Sequence, residues 1–275
     1  MSGAARRSEE GLARLRSQMS AAMEPRALTS FGVADQFFQY LKKSGRLRNR
    51  VFADIGANLG SWTQPFAMRY WRVLAFEAYS RNFEALSKKF SGSDYVELVR
   101  KAVWDESGKS VDFFYDETRP GIGSIRNNSE HFREETRETV ETITIADALG
   151  EDLEKLELIK TDVEGAELQT LKGADLPRSQ PSVIVAEISG RSAAFGYGPD
   201  DLAAFIAGAG YDVFLMMAKA REDSFGALER IHFAPYTTCV GRPAIGANMD
   251  ALGVRKDVAA DFADLFGRHF VEYGY

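Results

Sequence analysis

The stretch Val51-Phe-Ala-Asp-Ile-Gly-Ala-Asn-Leu-Gly60 decides the fold of this chain. A short apolar run ends in an acid, a turn with two glycines follows, and a helix-like segment begins at Ser61. The next apolar run, Arg72-Val-Leu-Ala-Phe-Glu77, also ends in an acid. Glycines let the backbone of such a turn approach a ligand, and an acid at the tip of the second strand accepts hydrogen bonds from ribose hydroxyls. The layout predicts a nucleoside-cofactor site at the first turn of a Rossmann-like sheet.

The glycine spacing indicates which cofactor this is. A dinucleotide site needs G-x-G-x-x-G, whereas three residues separate Gly56 from Gly60. The turn fits the looser pattern D-x-G-x-(G/N)-x-G of S-adenosylmethionine (SAM) sites, with Asn58 as the middle residue because Asn tolerates left-handed backbone angles. Asp54, the acid before the turn, suits a cofactor that carries an amino group and a sulfonium. We predict SAM as the cofactor; the alternative is an ordinary strand-turn-helix without a ligand.

Length and charge limit the class of protein. The chain has 275 residues, 45% of them hydrophobic, which suits one large α/β domain with extensions. Its net charge of −6 argues against a nucleic-acid partner. The single cysteine, Cys239, excludes an internal disulfide framework and a cysteine-rich zinc site. No apolar run reaches the roughly 18 residues of a membrane span, and the charged N-terminus does not resemble a secretion signal. We therefore expect a cytoplasmic protein without a membrane span.

From Val51 onward, strand-like runs alternate with helical patterns. The strand-like runs cover 51–55, 72–77, 95–103, 156–161, 182–188, 211–217 and 236–241, and the helical patterns cover 61–70, 80–90, 164–172 and 199–208. Such alternation predicts an α/β fold with a mainly parallel sheet and helices on both faces. The last two runs have no clear helix between them, which predicts an antiparallel terminal strand pair, as in SAM-dependent methyltransferases.

The chain divides into three predicted parts. Residues 1–50 form a helical extension, residues 51–245 form the main domain with an inserted β-hairpin at about 111–144, and residues 246–275 form a helical tail. In the extension, one helical stripe is apolar and consists of Leu12, Leu15, Met19 and Met23. A second apolar helix runs from about Val33 to Leu41. The extension is predicted to pack on the domain, to contact a second subunit in a homo-oligomer, or to form a lid over the substrate.

A second group of acids follows the later strands. Asp162 and Glu164 come directly after the buried-type run Leu156-Glu-Leu-Ile-Lys-Thr161, and Glu187 ends the next run. Since ligands in doubly wound sheets bind beyond the carboxyl ends of the strands, we take these three carboxylates as candidate catalytic residues. They could orient a substrate hydroxyl, act as general base, or bind a divalent cation. Glu167, one turn further on, is predicted to lie on a solvated helix face.

Several motifs together resemble the FkbM-type SAM-dependent methyltransferases. They are Asp54-Ile-Gly-Ala-Asn-x-Gly60, Phe76-Glu77, Lys101-Ala-Val-x-Asp105, the Gly123-Ser124 loop, and Asp162-Val-Glu-Gly-Ala-Glu167 followed by Leu171-Lys-Gly173. The resemblance runs from about residue 50 to 190. It departs from the family at Ala78, where relatives more often have proline. It implies a Rossmann-like methyltransferase fold and methyl transfer to hydroxyl groups of sugars, glycolipids or polyketide-type natural products.

The resemblance also implies roles for individual residues. The methionine end of SAM would be lined by Asp54, Gly56, Asn58 and Gly60. Glu77 would hold the ribose, and the segment Lys101–Asp105, with Ala102 and Asp105, would flank the adenine. No metal ligand is assigned. The acceptor's identity is not implied, because residues 1–50 and the tail fall outside the match.

Two rival functions remain at this stage. One is an NAD-linked oxidoreductase, which the glycine spacing disfavours, and the other is a non-catalytic SAM-binding subunit. His131 is the histidine nearest to the predicted site, as a surface residue or a second candidate base. The loop at 117–137, with Gly121, Gly123 and Arg126, is predicted to contact a hydroxyl-rich or anionic acceptor. The leading function is SAM-dependent O-methyl transfer to a small hydroxylated acceptor.

Overall fold

The computed structural model describes residues 13, 29–116, 118, 123–125, 135–220, 228–235 and 248–267. The strands are β1 (Val51–Ile55), β2 (Arg72–Phe76), β3 (Val96–Val99), β4 (Ala102–Val103), β5 (Ser110–Asp116), β6 (Gly123–Ser124), β7 (Glu135–Ile143), β8 (Leu156–Thr161), β9 (Val183–Ile188), β10 (Tyr211–Ala220), β11 (Leu228–Pro235) and β12 (Asn248–Arg255). The helices are α1 (Ser30–Lys43), α2 (Thr63–Ala67), α3 (Ser80–Lys89), α4 (Ile145–Leu149), α5 (Glu167–Lys172), α6 (Leu176–Ser179), α7 (Pro199–Gly208) and α8 (Lys256–Phe266), with 3-10 helices at Gly150–Lys155 and Gly190–Phe195.

Eight strands form the main sheet, in the order β11-β10-β12-β9-β8-β1-β2-β3. Neighbouring strands from β9 to β3 pair in parallel, whereas β12 is antiparallel to both of its neighbours and β11 is antiparallel to β10. Every residue of β1 and β8 is buried, as expected for parallel strands that are covered on both faces. The mainly parallel sheet with antiparallel strands at one end confirms the predicted fold class.

Helices cover both faces of this sheet. On one face, α1, α2, α3 and α8 pack over one apolar cluster, whose largest side chains include Phe37, Phe52, Phe66 and Phe262. On the other face, α4, α5, α6 and α7 pack over a second cluster. Among the described residues, no helix combines the length and the apolar character needed to cross a bilayer. The sheet is therefore the middle layer between two helical layers. The loops at the ends of its strands are not covered by these helices and form the site.

Helix α1 is part of this packed layer. The ring of Phe37 contacts that of Phe262 on α8 at 5.2 Å, and the ring of Phe38 contacts Trp71 at 4.8 Å. The predicted boundary at the end of residues 1–50 therefore does not separate α1 from the domain, because the buried face of α1 completes the core. The predicted apolar stripe upstream, which begins at Leu12, lies outside the described residues.

The largest difference from the predicted organisation is β12, which lies where residues 246–275 were expected to form a helical tail. It occupies the middle of the sheet, with Ala251 opposite Ala186 of β9 and Leu215 of β10. The tail prediction was wrong for residues 248–255, whereas the helix predicted from Val254 to Phe266 is present as α8. The strand was missed because it runs directly into this amphipathic helix, so that one apolar stretch contains two elements. The strand predicted at 236–241 lies outside the described residues.

A smaller sheet, in the order β4-β7-β5-β6, carries the segment predicted as a hairpin at 111–144. Its strands β5 and β7 pair antiparallel, with Val111 opposite Val140. The short strand β6 pairs with the end of β5, where Tyr115 lies opposite Gly123. This sheet places the side chains of β5 and β6 beside the carboxyl end of β2.

Candidate active site

A cavity opens at the carboxyl ends of β1, β2 and β8. It holds about 950 Å³ of empty space, counting its open mouth, and its lining includes the turn after β1, Glu77, Lys160 and Asp162. In open α/β sheets ligands bind at this edge. The structure therefore brings the two predicted groups of site residues to one place.

The turn after β1 has the backbone that its sequence predicts. Gly56, Asn58 and Gly60 have φ angles of 70°, 50° and 74°, which are left-handed. A Cβ on Gly56 would overlap the backbone carbonyl oxygen of Asp162, and a Cβ on Gly60 would lie 2.8 Å from the Phe90 ring. Gly60 does not line the cavity, unlike Gly56 and Asn58. Glycine at position 60 therefore lets the turn pack against Phe90. The sequence had instead indicated that this glycine lets the ligand approach the backbone.

Glu77 is fixed by the backbone around it. Its Oε2 accepts a hydrogen bond from the Asn58 N–H at 2.8 Å, and its Oε1 accepts one from the Tyr79 N–H at 2.9 Å. The residue is only 6% exposed yet lines the cavity. Burial raises its pKa to about 7, against the opposing effect of these two backbone hydrogen bonds. Each carboxylate oxygen keeps a further lone pair, so this acid can accept hydrogen bonds from a ligand.

Asp54 lies beneath the turn and is fully buried. Its Oδ2 accepts a hydrogen bond from the Thr63 hydroxyl at 2.6 Å, and its Oδ1 lies 3.6 Å from the Nζ of Lys160. Burial raises its pKa, and the nearby ammonium opposes that shift. Asp54 does not line the cavity, and its contact with the cofactor stays a prediction. A strand buried on both faces directs this side chain into the protein, where it supports the turn.

Lys160 is the main site residue that the sequence reasoning missed. It lies in β8 and is 7% exposed, and its Nζ donates to the carbonyl oxygens of Gly56 at 2.8 Å and Ile55 at 3.3 Å. Burial alone would lower its pKa, but the carboxylates of Asp162 and Asp54 raise it. A signal was available in the sequence, because a lysine in an otherwise apolar buried strand needs an acidic partner.

The three candidate catalytic acids occupy different positions. Asp162 and Glu164 line the cavity, and the side chain of Asp162 is 47% exposed. The carboxylate of Glu164 forms an ion pair with Arg191. Glu187 does not line the cavity. It faces Asp250 across the β9–β12 pair. The structure therefore places one of the three acids, Asp162, in the cavity with an accessible carboxylate.

Glu187 and Asp250 are paired, partly buried acids near Asp162. Burial and then the charge of Asp162 raise the pKa of Glu187 to about 9, so its carboxyl is protonated at neutral pH. Burial raises the pKa of Asp250 to about 6, and the Ser30 hydroxyl donates a hydrogen bond to it. Within the described ranges, no three His, Cys, Asp or Glu side chains are grouped so as to hold a metal ion.

An apolar wall closes the side of the cavity next to Glu77. Its members are Ala78, Ala102, Val103, Phe113, Tyr115 and Ile125. The rings of Tyr79 and Tyr115 lie 4.0 Å apart between centroids, which joins the small sheet to the start of α3. Ala102 lies at the position expected from the resemblance. Asp105, by contrast, is exposed and does not line the cavity, because the chain turns outward after β4.

Glu167 is buried and does not lie on a solvated helix face as predicted. Its Oε1 accepts hydrogen bonds from the N–H groups of Val163 and Gly165, both at 3.1 Å, and its Oε2 accepts one from the Tyr197 hydroxyl at 3.0 Å. Burial raises its pKa. The Glu167 carboxylate therefore holds the loop after β8 in place, and this loop carries Asp162 into the cavity.

Part of the predicted acceptor loop is not described. Gly121, Arg126 and His131 lie outside the described residues, whereas Gly123 lines the cavity. The hydroxyl of Ser124 lies 3.5 Å from the carbonyl oxygen of Glu164, so β6 meets the loop after β8. The predicted contacts of the 117–137 loop with an acceptor stay a prediction.

Two of the solved structures that align with this chain are methyltransferases of low sequence identity. One is the O-methyltransferase from Bacillus cereus in complex with SAH, which is 12% identical, with a TM-score of 0.41 over 89% of this chain and 91% of that one. Another is the magnesium protoporphyrin IX methyltransferase of Synechocystis PCC 6803 with bound SAM, which is 10% identical, with a TM-score of 0.40 over 82% and 80% of the two chains.

Sequence relatives identify the family. Methyltransferase sdnD of Sordaria araneosa is 28% identical in an alignment 158 positions long. The alignment covers 46% of this chain and 61% of that protein, so the match spans less than two thirds of the relative. The family model of the methyltransferase FkbM domain matches residues 54–213, more than half of the chain. This match includes the turn after β1, Glu77 and the loop after β8. The chain therefore belongs to the FkbM family of SAM-dependent methyltransferases.

Proposed function

We propose that the protein transfers the methyl group of SAM to a hydroxyl oxygen of a small acceptor, such as a sugar, a glycolipid or a polyketide-type natural product. One observation carries this proposal. A single cavity is lined by the Gly56–Asn58 turn, by Glu77 and by the half-exposed carboxylate of Asp162. Family membership does not favour the alternatives, an NAD-linked oxidoreductase or a non-catalytic SAM-binding subunit.

The residues that line the cavity suit the chemical groups of SAM. The carboxylate of Glu77, already held by two backbone N–H groups, would accept hydrogen bonds from the ribose hydroxyls. The apolar side chains of Ala102 and Val103 would contact the adenine, and the turn at Gly56 would face the methionine end. When bound, SAM supplies an electrophilic methyl group on a sulfonium. The chain's own contribution is to hold the acceptor hydroxyl in line with that group and to remove one proton.

Asp162 is the carboxylate best placed to take this proton. Its side chain reaches the cavity, whereas the carboxylate of Glu164 is engaged by Arg191. Glu187 is protonated at neutral pH, since its pKa is raised to about 9, so it cannot serve as the base there. We therefore assign Asp162 as general base, Glu164 as part of the cavity wall, and Glu187 as a neutral neighbour of the base.

The atom that receives the methyl group tests the proposal. The protein would be incubated with SAM labelled with ¹³C in its methyl group and with a panel of neutral polyols, glycolipids and phenolic polyketides. We expect the label in an alkali-stable methyl ether, identified by its ¹³C shift and by fragmentation. A label on nitrogen or carbon, or in an alkali-labile methyl ester, would show that the acceptor atom is not a hydroxyl oxygen.

Substitution of Glu77 should weaken SAM binding. The Glu77→Ala variant removes the acceptor for the ribose hydroxyls and strands two backbone N–H groups, at a cost of about 1–3 kcal/mol. Isothermal titration calorimetry with SAM measures the effect. The matched control is Glu84→Ala, since Glu84 is an exposed acid of α3. Equal affinities of the two variants would remove Glu77 from the cofactor site.

The affinity for SAM should also depend on pH through the same residue. Burial raises the pKa of Glu77 to about 7 in the free protein, so its carboxyl is protonated at pH 6 and ionised at pH 8. Ribose hydroxyls donate more strongly to the ionised form. We therefore expect the affinity to rise with pH up to about 7 and to level off above it. The same titration of the Glu77→Gln variant should lack this step, and a step of equal size in that variant would assign it to another group.

A further inference from the structure

Lys160 stands between the cofactor turn and the proposed base. In the β1–β8 pair it lies directly opposite Asp54. Its Nζ donates to the carbonyl oxygens of Gly56 and Ile55, and it lies 3.6 Å from both Asp54 Oδ1 and Asp162 Oδ2. A lysine ammonium has three N–H donors, and here they face two carbonyl oxygens and two carboxylates. The side chain therefore joins the turn that would hold SAM to the acid that would take the proton.

The contact between Lys160 and Asp162 lies among several other charged groups. The charge of Asp162 acts on carboxyl groups of three strands, namely Asp54 on β1, Glu187 on β9 and Asp250 on β12. Glu77, which follows β2, acts on Lys160, and Glu164 with its partner Arg191 lies in the loops. Negative charge close to a carboxylate disfavours its ionised form, and a close cation favours it. Lys160 brings an ammonium to within 3.6 Å of the Asp162 carboxylate.

Burial makes this position costly for a lysine without a function or a partner. Taking an ammonium out of water is expensive unless it is paired and hydrogen-bonded. Asp54 would satisfy the charge of Lys160 alone, but the ammonium is placed so that it also reaches the Asp162 carboxylate and the carbonyl of Gly56. An aliphatic residue of similar length would fill the space between the strands without either link.

We propose that Lys160 is a positioning residue of the methyl transfer, whose ammonium holds the Asp162 carboxylate against the carbonyls of the SAM-binding turn. The Asp162 carboxylate, which takes the proton, and SAM, which donates the methyl group, are then held at a fixed position relative to each other. The hydroxyl that is methylated would lie between them. This role rests on the proposed function, in which Asp162 is the base. Lys160 acts through Asp162 and the turn and does not itself exchange a proton with the acceptor.

The double variant Lys160→Met/Asp54→Asn tests this role. Replacing both residues avoids an unpaired charge under the turn, and the amide oxygen introduced at position 54 can still accept a hydrogen bond from the Thr63 hydroxyl. Relative to the single variant Asp54→Asn, we expect the acid limb of the kcat–pH profile to move up by about one pH unit, the lower end of the effect of a close opposite charge, because Asp162 is half-exposed. The midpoint of the Asp162 ¹³C-carboxyl resonance in the SAM-free protein should move by the same amount.

Two further variants separate this role from a merely structural one. The single variant Asp54→Asn keeps the contact between Lys160 and Asp162 and removes a neighbouring carboxylate, so its acid limb should not move up in pH. Lys160→Arg keeps the cation, so its acid limb should stay at the wild-type pH even where kcat falls. An unchanged Asp162 midpoint in the double variant would overturn the proposal. A fully active Asp162→Asn variant would instead overturn the proposed base, and the carboxyl titration would still decide whether Lys160 controls Asp162.

Discussion

Replacement of Asp162 by Asn should lower kcat by about 10²–10⁴-fold, the usual contribution of a general base. The amide has the shape of the carboxylate but cannot take a proton from the acceptor hydroxyl. The affinity for SAM should change little, because the cofactor contacts lie on the Gly56 turn and at Glu77. Steady-state kinetics with calorimetric SAM binding on the same preparations measure both effects. Asp94→Asn, at an exposed acid in the loop before β3, is the control and should keep wild-type kcat.

Activity in the presence of a chelator decides between the two roles that carboxylates can have here. If Asp162 is a base, EDTA should leave kcat unchanged. Loss of activity with EDTA and its recovery with Mg²⁺ would instead make Asp162 a metal ligand, together with oxygen donors near it. Full activity of Asp162→Asn would contradict both roles.

A single added methyl group in the first turn should have the second large effect. Gly56→Ala forces a side chain onto a residue with a φ of 70° and into the carbonyl oxygen of Asp162. The left-handed backbone alone costs about 1–2 kcal/mol, and relief of the overlap must move the turn or the loop after β8. We expect the SAM affinity to fall at least about tenfold, equal to about 1.4 kcal/mol, together with a lower melting temperature.

Gly92→Ala is the matched control for this substitution. Gly92 has a similar φ of 77°, but a Cβ there would meet no atom within 4 Å. It therefore carries the backbone cost without the overlap. Thermal unfolding and SAM titration of both variants isolate the effect of the contact with Asp162. Equal stability and equal SAM affinity in the two variants would mean that the turn can move away from the loop at little cost.

Local patterns were enough to predict the parallel half of the fold. The runs that became β1, β2, β8 and β9 are short, apolar and bounded by polar residues, so their strand character does not depend on distant contacts. The strand β12 could not be found in this way. Gly253 weakens its strand pattern, and it is glycine because a Cβ there would lie 2.5 Å from Ile206 on α7, a contact that only the folded chain reveals.

The candidate site shows the same division between local and distant causes. Gly56, Asn58 and Glu77 were predicted because one short segment and the tip of the next strand define their roles. Lys160 was missed because its partners lie on other strands and come together only in the sheet. Asp250 was missed because it lies on β12, whose position in the sheet was not predicted.

The place of β12 also has a consequence for how the protein is made. Synthesis proceeds from the N-terminus, and β9 and β10 leave the ribosome before residues 248–255, which must insert between them. Until then, the facing edges of both strands expose unpaired backbone groups, which are prone to pair with other chains. A fragment cut at residue 213, where the family match ends, would keep this exposed edge permanently. Complete synthesis through β12 is therefore what closes the sheet and protects the nascent chain from aggregation.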